Sequence, residues 1–118
     1  MEPAMDDCLF CRILAGEVPS EEVLSSPGTY AFRDIEPGAP IHVLVVPRRH
    51  IADAAAVGPG DAPVLAEMLA TAQAVARSEG VADSGYRLVL NVGEEARNSV
   101  GHLHLHVLGG RLMGWPPG

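Results

Sequence analysis

The spacing of hydrophobic and polar positions changes along the chain, and each change marks an element. Leu9, Phe10 and Ile13 form an apolar stripe at helical spacing. They predict a short helix from about Cys8 to Ala15, capped by Asp6 or Asp7 and ended by Gly16. Pro19 breaks that pattern, and Glu22 to Ser25 and Thr29 to Arg33 read as strands joined by the turn Ser26-Pro27-Gly28. A rigid turn at Glu36 to Pro40 leads into His42-Val43-Leu44-Val45-Val46, a β-branched run expected to form a central strand buried on both faces and closed by Pro47. From Asp61 to about Glu79 the period returns to helical, with Leu65, Met68, Leu69, Ala72 and Val75 on one face, Asp61 as cap, Pro63 in the first turn and Gly80 as stop. Tyr86 to Asn91 and Leu103 to Leu108 predict two more strands around the polar loop Gly93 to Val100. The expected fold is α+β: a five-stranded antiparallel sheet, a short N-terminal helix and one long helix, with the helices on one side. At 118 residues this is read as a single domain, 1–118, with a loose tail at 1–6 and a stiff, apolar C-terminal tail at 111–118.

Within the last strand, His102, His104 and His106 alternate with Leu103, Leu105 and Val107. Alternation on a strand sends the imidazoles to one face and the aliphatic side chains to the other. Three of the chain's five histidines therefore share one surface. Imidazole serves near neutral pH as nucleophile, acid, base or metal ligand, so this row is the candidate active site. The preceding Asn98-Ser99-Val100-Gly101 leaves backbone N–H groups accessible and suits an anion.

Composition narrows the partners. The net charge is −7 and the chain contains no lysine, all eight basic residues being arginine. An extended nucleic-acid surface is not expected, while a small phosphate-bearing ligand remains compatible with local dipoles and imidazoles. Apolar runs are short and no signal-like start is seen, so neither a membrane span nor export is expected and a cytoplasmic location is. Cys8 and Cys11 form a Cys-x-x-Cys pair on one helical turn. A disulfide is the weaker reading in a reducing compartment, and half a zinc site the stronger, with His50 and His102 as further ligands. Asp34, after the apolar Phe32, is either a turn residue or a carboxylate for sugar hydroxyls. Asn91 and Ser99 are, on their own, no more than turn or capping residues.

Taken together, Asp7 to Pro19, Ala31-Phe32-Arg33-Asp34-Ile35, Ala39 to Ile51, Leu90-Asn91-Val92-Gly93, Asn98 through Gly110 and the closing Trp115-Pro116-Pro117-Gly118 resemble, in order, the blocks of the histidine triad (HIT) family, and the tail resembles its HINT-like nucleoside phosphoramidate hydrolase branch. The resemblance implies that His104 is a nucleophile toward the α-phosphorus of a purine nucleoside 5'-phosphoramidate or acyl nucleotide. It implies that a nucleotidyl-histidine forms and that water releases the nucleoside monophosphate. His106 would contact phosphate, Ser99 would sit by the leaving group, and His42 and His102 would support the triad. Asp34 would bind the ribose and Asn91 the sugar and phosphate side, with Asn98, Val100 and Trp115 completing the nucleotide site. Leu9, Phe10, Ile13, Phe32, Ile35 and Leu44 would wall the base pocket. The resemblance further implies a homodimer with one continuous sheet and a structural Zn2+ on Cys8, Cys11, His50 and His102. Three positions depart from the family pattern: Gly101 replaces a customary aromatic, and Arg97-Asn98 replaces a Gly-Gln pair. The residues also admit a metal-dependent hydrolase using the three histidines as ligands, or a nucleotide-binding adaptor with weak activity.

Overall fold

The structure, a computed structural model, describes residues 7–118. In chain order the elements are helix α1 (Leu9–Leu14), strands β1 (Glu22–Ser25), β2 (Thr29–Arg33) and β3 (Ile41–Pro47), two short 3-10 turns (Ala54–Ala56 and Pro59–Asp61), helix α2 (Ala62–Ser78), and strands β4 (Tyr86–Val89) and β5 (Leu105–Gly109). The strands form one antiparallel sheet in the order β1-β2-β3-β5-β4. The α+β class, the five strands and the two helices are as the sequence pattern predicts.

Strand β3 lies at the centre because its β-branched residues tolerate burial on both faces. Val43 and Val45 face α2 and pack with Met68, Ala72, Val75, Leu105 and Val107. Leu44 and Val46 face the other way and pack with Phe10, Phe32 and Cys8. The helices therefore lie on opposite faces of the sheet, not on one side as expected. The short helix is needed there because the face bearing Phe32, Leu44 and Val46 would otherwise be wet; Phe10 covers it, with its ring edge-on to Phe32 at 5.4 Å.

Three further boundaries differ from expectation. The cap of α1 is Cys8, whose Sγ accepts the Cys11 N–H at 3.2 Å; of the two aspartates expected there, Asp6 lies outside the described residues. Strand β5 begins at Leu105, so His102, Leu103 and His104 precede it. The β3–β5 register ends at Val45 opposite Leu105, and two residues further on Leu103 would face Pro47, which has no N–H for the Leu103 carbonyl and whose own carbonyl is taken by His102 Nε2–H. Leu103 N–H turns instead to the Ile51 carbonyl at 2.6 Å. Strand β4 stops at Val89, opposite His106 and two residues short of the expected Asn91.

Candidate active site

Although His102 and His104 lie outside the regular strand, alternation persists. Leu103, Leu105 and Val107 are buried on the α2 side, while the rings of His104 and His106 lie 5.0 Å apart on the α1 side. Phe10 meets both His104 and His102 edge-on, with ring centroids 5.1 and 6.1 Å away.

What distinguishes the three rings is the group each presents to its backbone neighbours. A carbonyl can only accept and an amide N–H can only donate, so each such contact fixes a tautomer. His104 Nδ1 lies 2.7 Å from the His102 carbonyl. Nδ1 must carry the proton, which leaves a lone pair on Nε2. His104 is buried and lines the cleft described below.

His42 is held the opposite way. Its Nδ1 accepts the Gly38 N–H at 2.8 Å, which puts the proton on Nε2. That N–H faces His106 Nδ1 at 2.9 Å and Asp34 Oδ2 at 3.3 Å. Donation to His106 Nδ1 places the His106 proton on Nε2, a buried atom with no hydrogen-bond partner among the described residues. Burial and the neighbouring His104 and His42 push the His106 pKa down to about 4, and burial, opposed by Asp34, also lowers that of His42. Near pH 7 both rings are neutral. The relay from Gly38 through His42 thus ends in an unpartnered N–H donor, which suits an incoming acceptor such as a phosphate oxygen.

His102 faces a different set of groups. Its Nε2–H donates to the Pro47 carbonyl at 2.9 Å, so Nδ1 carries a lone pair. That lone pair faces Cys8 Sγ at 3.3 Å, Cys11 Sγ at 3.4 Å and His50 Nδ1 at 3.2 Å, and Cys11 Sγ lies 3.2 Å from His50 Nδ1. The ligand atoms of a tetrahedral zinc site with Zn–N and Zn–S bonds of about 2.0 and 2.3 Å are separated by roughly 3.3–3.8 Å. The four residues fit a metal ion in number, chemistry and spacing, and the bond from His102 to Pro47 is the outer contact that a ligating histidine requires. Burial, followed by the effect of Cys8, raises the Cys11 pKa to about 12, a thiol that a dication would convert to thiolate. Burial is also the main reason the His102 pKa falls to about 4.

Asp34, His42 and His106 also approach one another closely enough to hold an ion, but the outer contact is wrong. A metal on His42 Nε2 would displace its proton while Nδ1 still accepts from Gly38 N–H, leaving an imidazolate. The three histidines of the row do not converge on one point either, since Nδ1 of His102 faces the cysteines, that of His104 a carbonyl and that of His106 another ring. This geometry speaks against a three-histidine catalytic metal.

Beside His104 and His106 opens a cleft of about 300 Å3 whose walls include Leu9, Phe10, Ile13, Phe32, Asp34, Ile35, Leu44, Ser99 and Val100. The structure thus brings together most of the residues expected to bind a nucleotide. It adds Val18, Pro19, Ser20, Arg33 and Glu36, none of them expected at the site. Asp34 Oδ1 accepts the Glu36 N–H at 2.9 Å, and the carboxylate keeps further acceptor capacity. Asn98 precedes Ser99 with its Oδ1 buried and unpartnered among the described residues. Asn91 and Trp115 are elsewhere, in a groove along β4 with Arg97. The roles of Gly38 N–H and the Pro47 carbonyl escape sequence reading because backbone groups leave no residue-type signature.

The chain matches the HIT domain over residues 15–113 and belongs to the HIT family. Its fold is that of the HIT family hydrolases: it is similar to the crystal structure of a HIT family hydrolase from Legionella pneumophila, with a TM-score of 0.92 and 48% identity over 94% of this chain and 99% of that one. A HIT-like protein of Synechococcus elongatus is 40% identical over 113 residues, 96% of this chain and 98% of its own length. The histidine triad nucleotide-binding protein from Candida albicans is 32% identical with a TM-score of 0.78, covering 92% of this chain and 82% of that one.

Proposed function

We propose that this protein hydrolyses purine nucleoside 5'-phosphoramidates and acyl nucleotides, releasing a nucleoside monophosphate through a covalent intermediate on His104. The observation that carries the reading is the Nδ1–H of His104 bonded to the His102 carbonyl, the tautomer whose lone pair lies on Nε2 beside the cleft. The Nε2 lone pair forms a bond to the α-phosphorus while the bond from phosphorus to the leaving amine or acylate breaks opposite it. A leaving amine takes up a proton from water in the cleft, which the water consumed in the second step returns, and Ser99 lies at the cleft wall where its hydroxyl would meet that group. The Nε2–H of His106 would donate to a phosphate oxygen, Asp34 would accept from ribose hydroxyls, and the base would lie against Phe10, Phe32 and Leu44. In the second step water adds to phosphorus, the bond to His104 breaks and the monophosphate leaves. The nucleotide-binding relative from Candida albicans supports the ligand class.

In the same reading Zn2+ is the ion for Cys8, Cys11, His50 and His102. Four protein ligands fill a tetrahedral shell, so the ion would hold structure and take no part in the displacement. The reading includes a homodimer. Strand β4 is a sheet edge with Leu88, Leu90 and Val92 exposed beside it, and pairing with a second copy would cover that edge. Trp115, which lines a groove other than the cleft of its own chain, would then serve the site of the second copy.

The test is mass spectrometry of protein quenched during turnover of an adenosine phosphoramidate. A nucleotidyl adduct on His104 is expected. Turnover with no adduct under single-turnover conditions would overturn the covalent route.

A further inference from the structure

His104 lies beyond the end of the ladder that would ordinarily hold it. The β3–β5 pairing stops at Val45 opposite Leu105, so the peptide from His102 to His104 is fixed by other means. Leu103 N–H bonds to the Ile51 carbonyl. His102 is anchored through its ring, with Nε2–H on the Pro47 carbonyl and Nδ1 facing Cys8, Cys11 and His50. The carbonyl of that anchored residue then receives His104 Nδ1–H at 2.7 Å. A second path leads from the same cluster to the same ring: Cys8 Sγ caps α1, and α1 carries Phe10, whose edge meets His104 at 5.1 Å.

We infer that the Cys8, Cys11, His50 and His102 cluster is a positioning device for the nucleophile, acting through the His102 carbonyl and through Phe10 when a divalent cation links its four ligands. This goes beyond a purely structural role for the ion and rests on the proposed nucleotidyl transfer to His104. Nδ1 of His102 and of His50 lie 3.2 Å apart, the spacing of two nitrogen ligands on one tetrahedral ion. Loss of the ion lets the cluster open, and the His102 carbonyl moves with its ring. His102 is a positioning residue here; it touches no reacting atom.

The experiment uses full-length protein with 15N-labelled histidine, with or without Zn2+, and the His50→Ala variant, since His50 lies outside the cleft and the relay. With Zn2+ bound, the wild type should show one His104 tautomer with a slowly exchanging Nδ1–H. In the zinc-free protein and in His50→Ala, the expected result is a tautomer mixture, fast exchange, weaker AMP binding, and kcat lower by about a hundredfold, the loss typical of a misplaced reacting group, with KM less affected. His50→Cys, which keeps four donors, should restore both signal and kcat. A zinc-free, folded His50→Ala with an unchanged His104 signal would overturn the inference. Should His50→Ala fail to fold, Cys11→Ser is titrated with Zn2+: signal and kcat must rise together with occupancy, and independence of the two from occupancy would overturn the inference. The tautomer and AMP measurements need no turnover, so absence of phosphoramidase activity would count against the proposed reaction and not against the positioning.

Discussion

His102 and His106 sit four residues apart on the same side of the same segment, the first buried and the second half-buried, both with pKa values pushed down to about 4, yet they are equipped for different tasks. At His102 a backbone acceptor, Pro47 O, takes the ring proton on one side and leaves a lone pair facing two sulfurs and another ring. At His106 the neighbouring ring, His42, is itself loaded by a backbone donor, Gly38 N–H, so the proton ends on the buried Nε2. One end of the row therefore presents a ligand and the other a donor. Between them His104, with its Nδ1–H on the His102 carbonyl, presents a lone pair on Nε2, the group that the proposed reaction uses. Imidazole takes each role according to which backbone group meets its second nitrogen, and a backbone contact costs the protein no extra titratable residue.

The most damaging way to break this contrast is His104→Ala. It should lower turnover by about 10^4-fold or more, the scale for loss of a covalent nucleophile, while bound metal stays unchanged; single-turnover kinetics and metal analysis check both halves. Cys8→Ala strikes the ligand end. It removes a metal donor and the α1 cap together and should cost about 3 kcal/mol of stability along with the ion, measured by denaturant unfolding and metal content. At the donor end, His42→Ala should leave metal and fold in place but lower kcat by about a hundredfold, because His106 Nδ1 loses the donor that orders its proton. A His42→Ala enzyme with wild-type kcat would mean that the relay does not set the His106 tautomer.

The smallest effect is one of pH. His106 titrates near 4 in the folded protein against 6.5 for an ordinary histidine. Above pH 6.5 the ring is neutral in both states. As pH falls from 6.5 toward 4, the unfolded chain takes up a proton that the folded one refuses, so stability declines across that window and levels off below it. NMR titration of the His106 ring should show a midpoint near 4; a midpoint at 6 or above contradicts the buried, neutral relay.

Much of the scaffold was legible because it is carried by side-chain periodicity. The β-branched run in β3 and the stripe of Met68, Ala72 and Val75 predict a doubly buried strand and a helix, and the structure has both. The side of the sheet on which α1 packs was not legible, because an apolar stripe says that a face must be covered and not which one. The start of β5 escapes sequence reading for a related reason: Leu103 is strand-like, and Pro47, far away in sequence, is what ends the ladder.

The sequence by itself determined that three imidazoles would share a face opposite Leu103, Leu105 and Val107, since a period of two admits no other arrangement. It also placed two thiols on one helical turn. Only the tertiary structure decided which nitrogen of each ring holds its proton and which ring meets those thiols. Those choices depend on carbonyl and amide groups of Gly38, Pro47 and His102, and every residue but proline carries the same two. Their chemistry is therefore set by where the fold puts them.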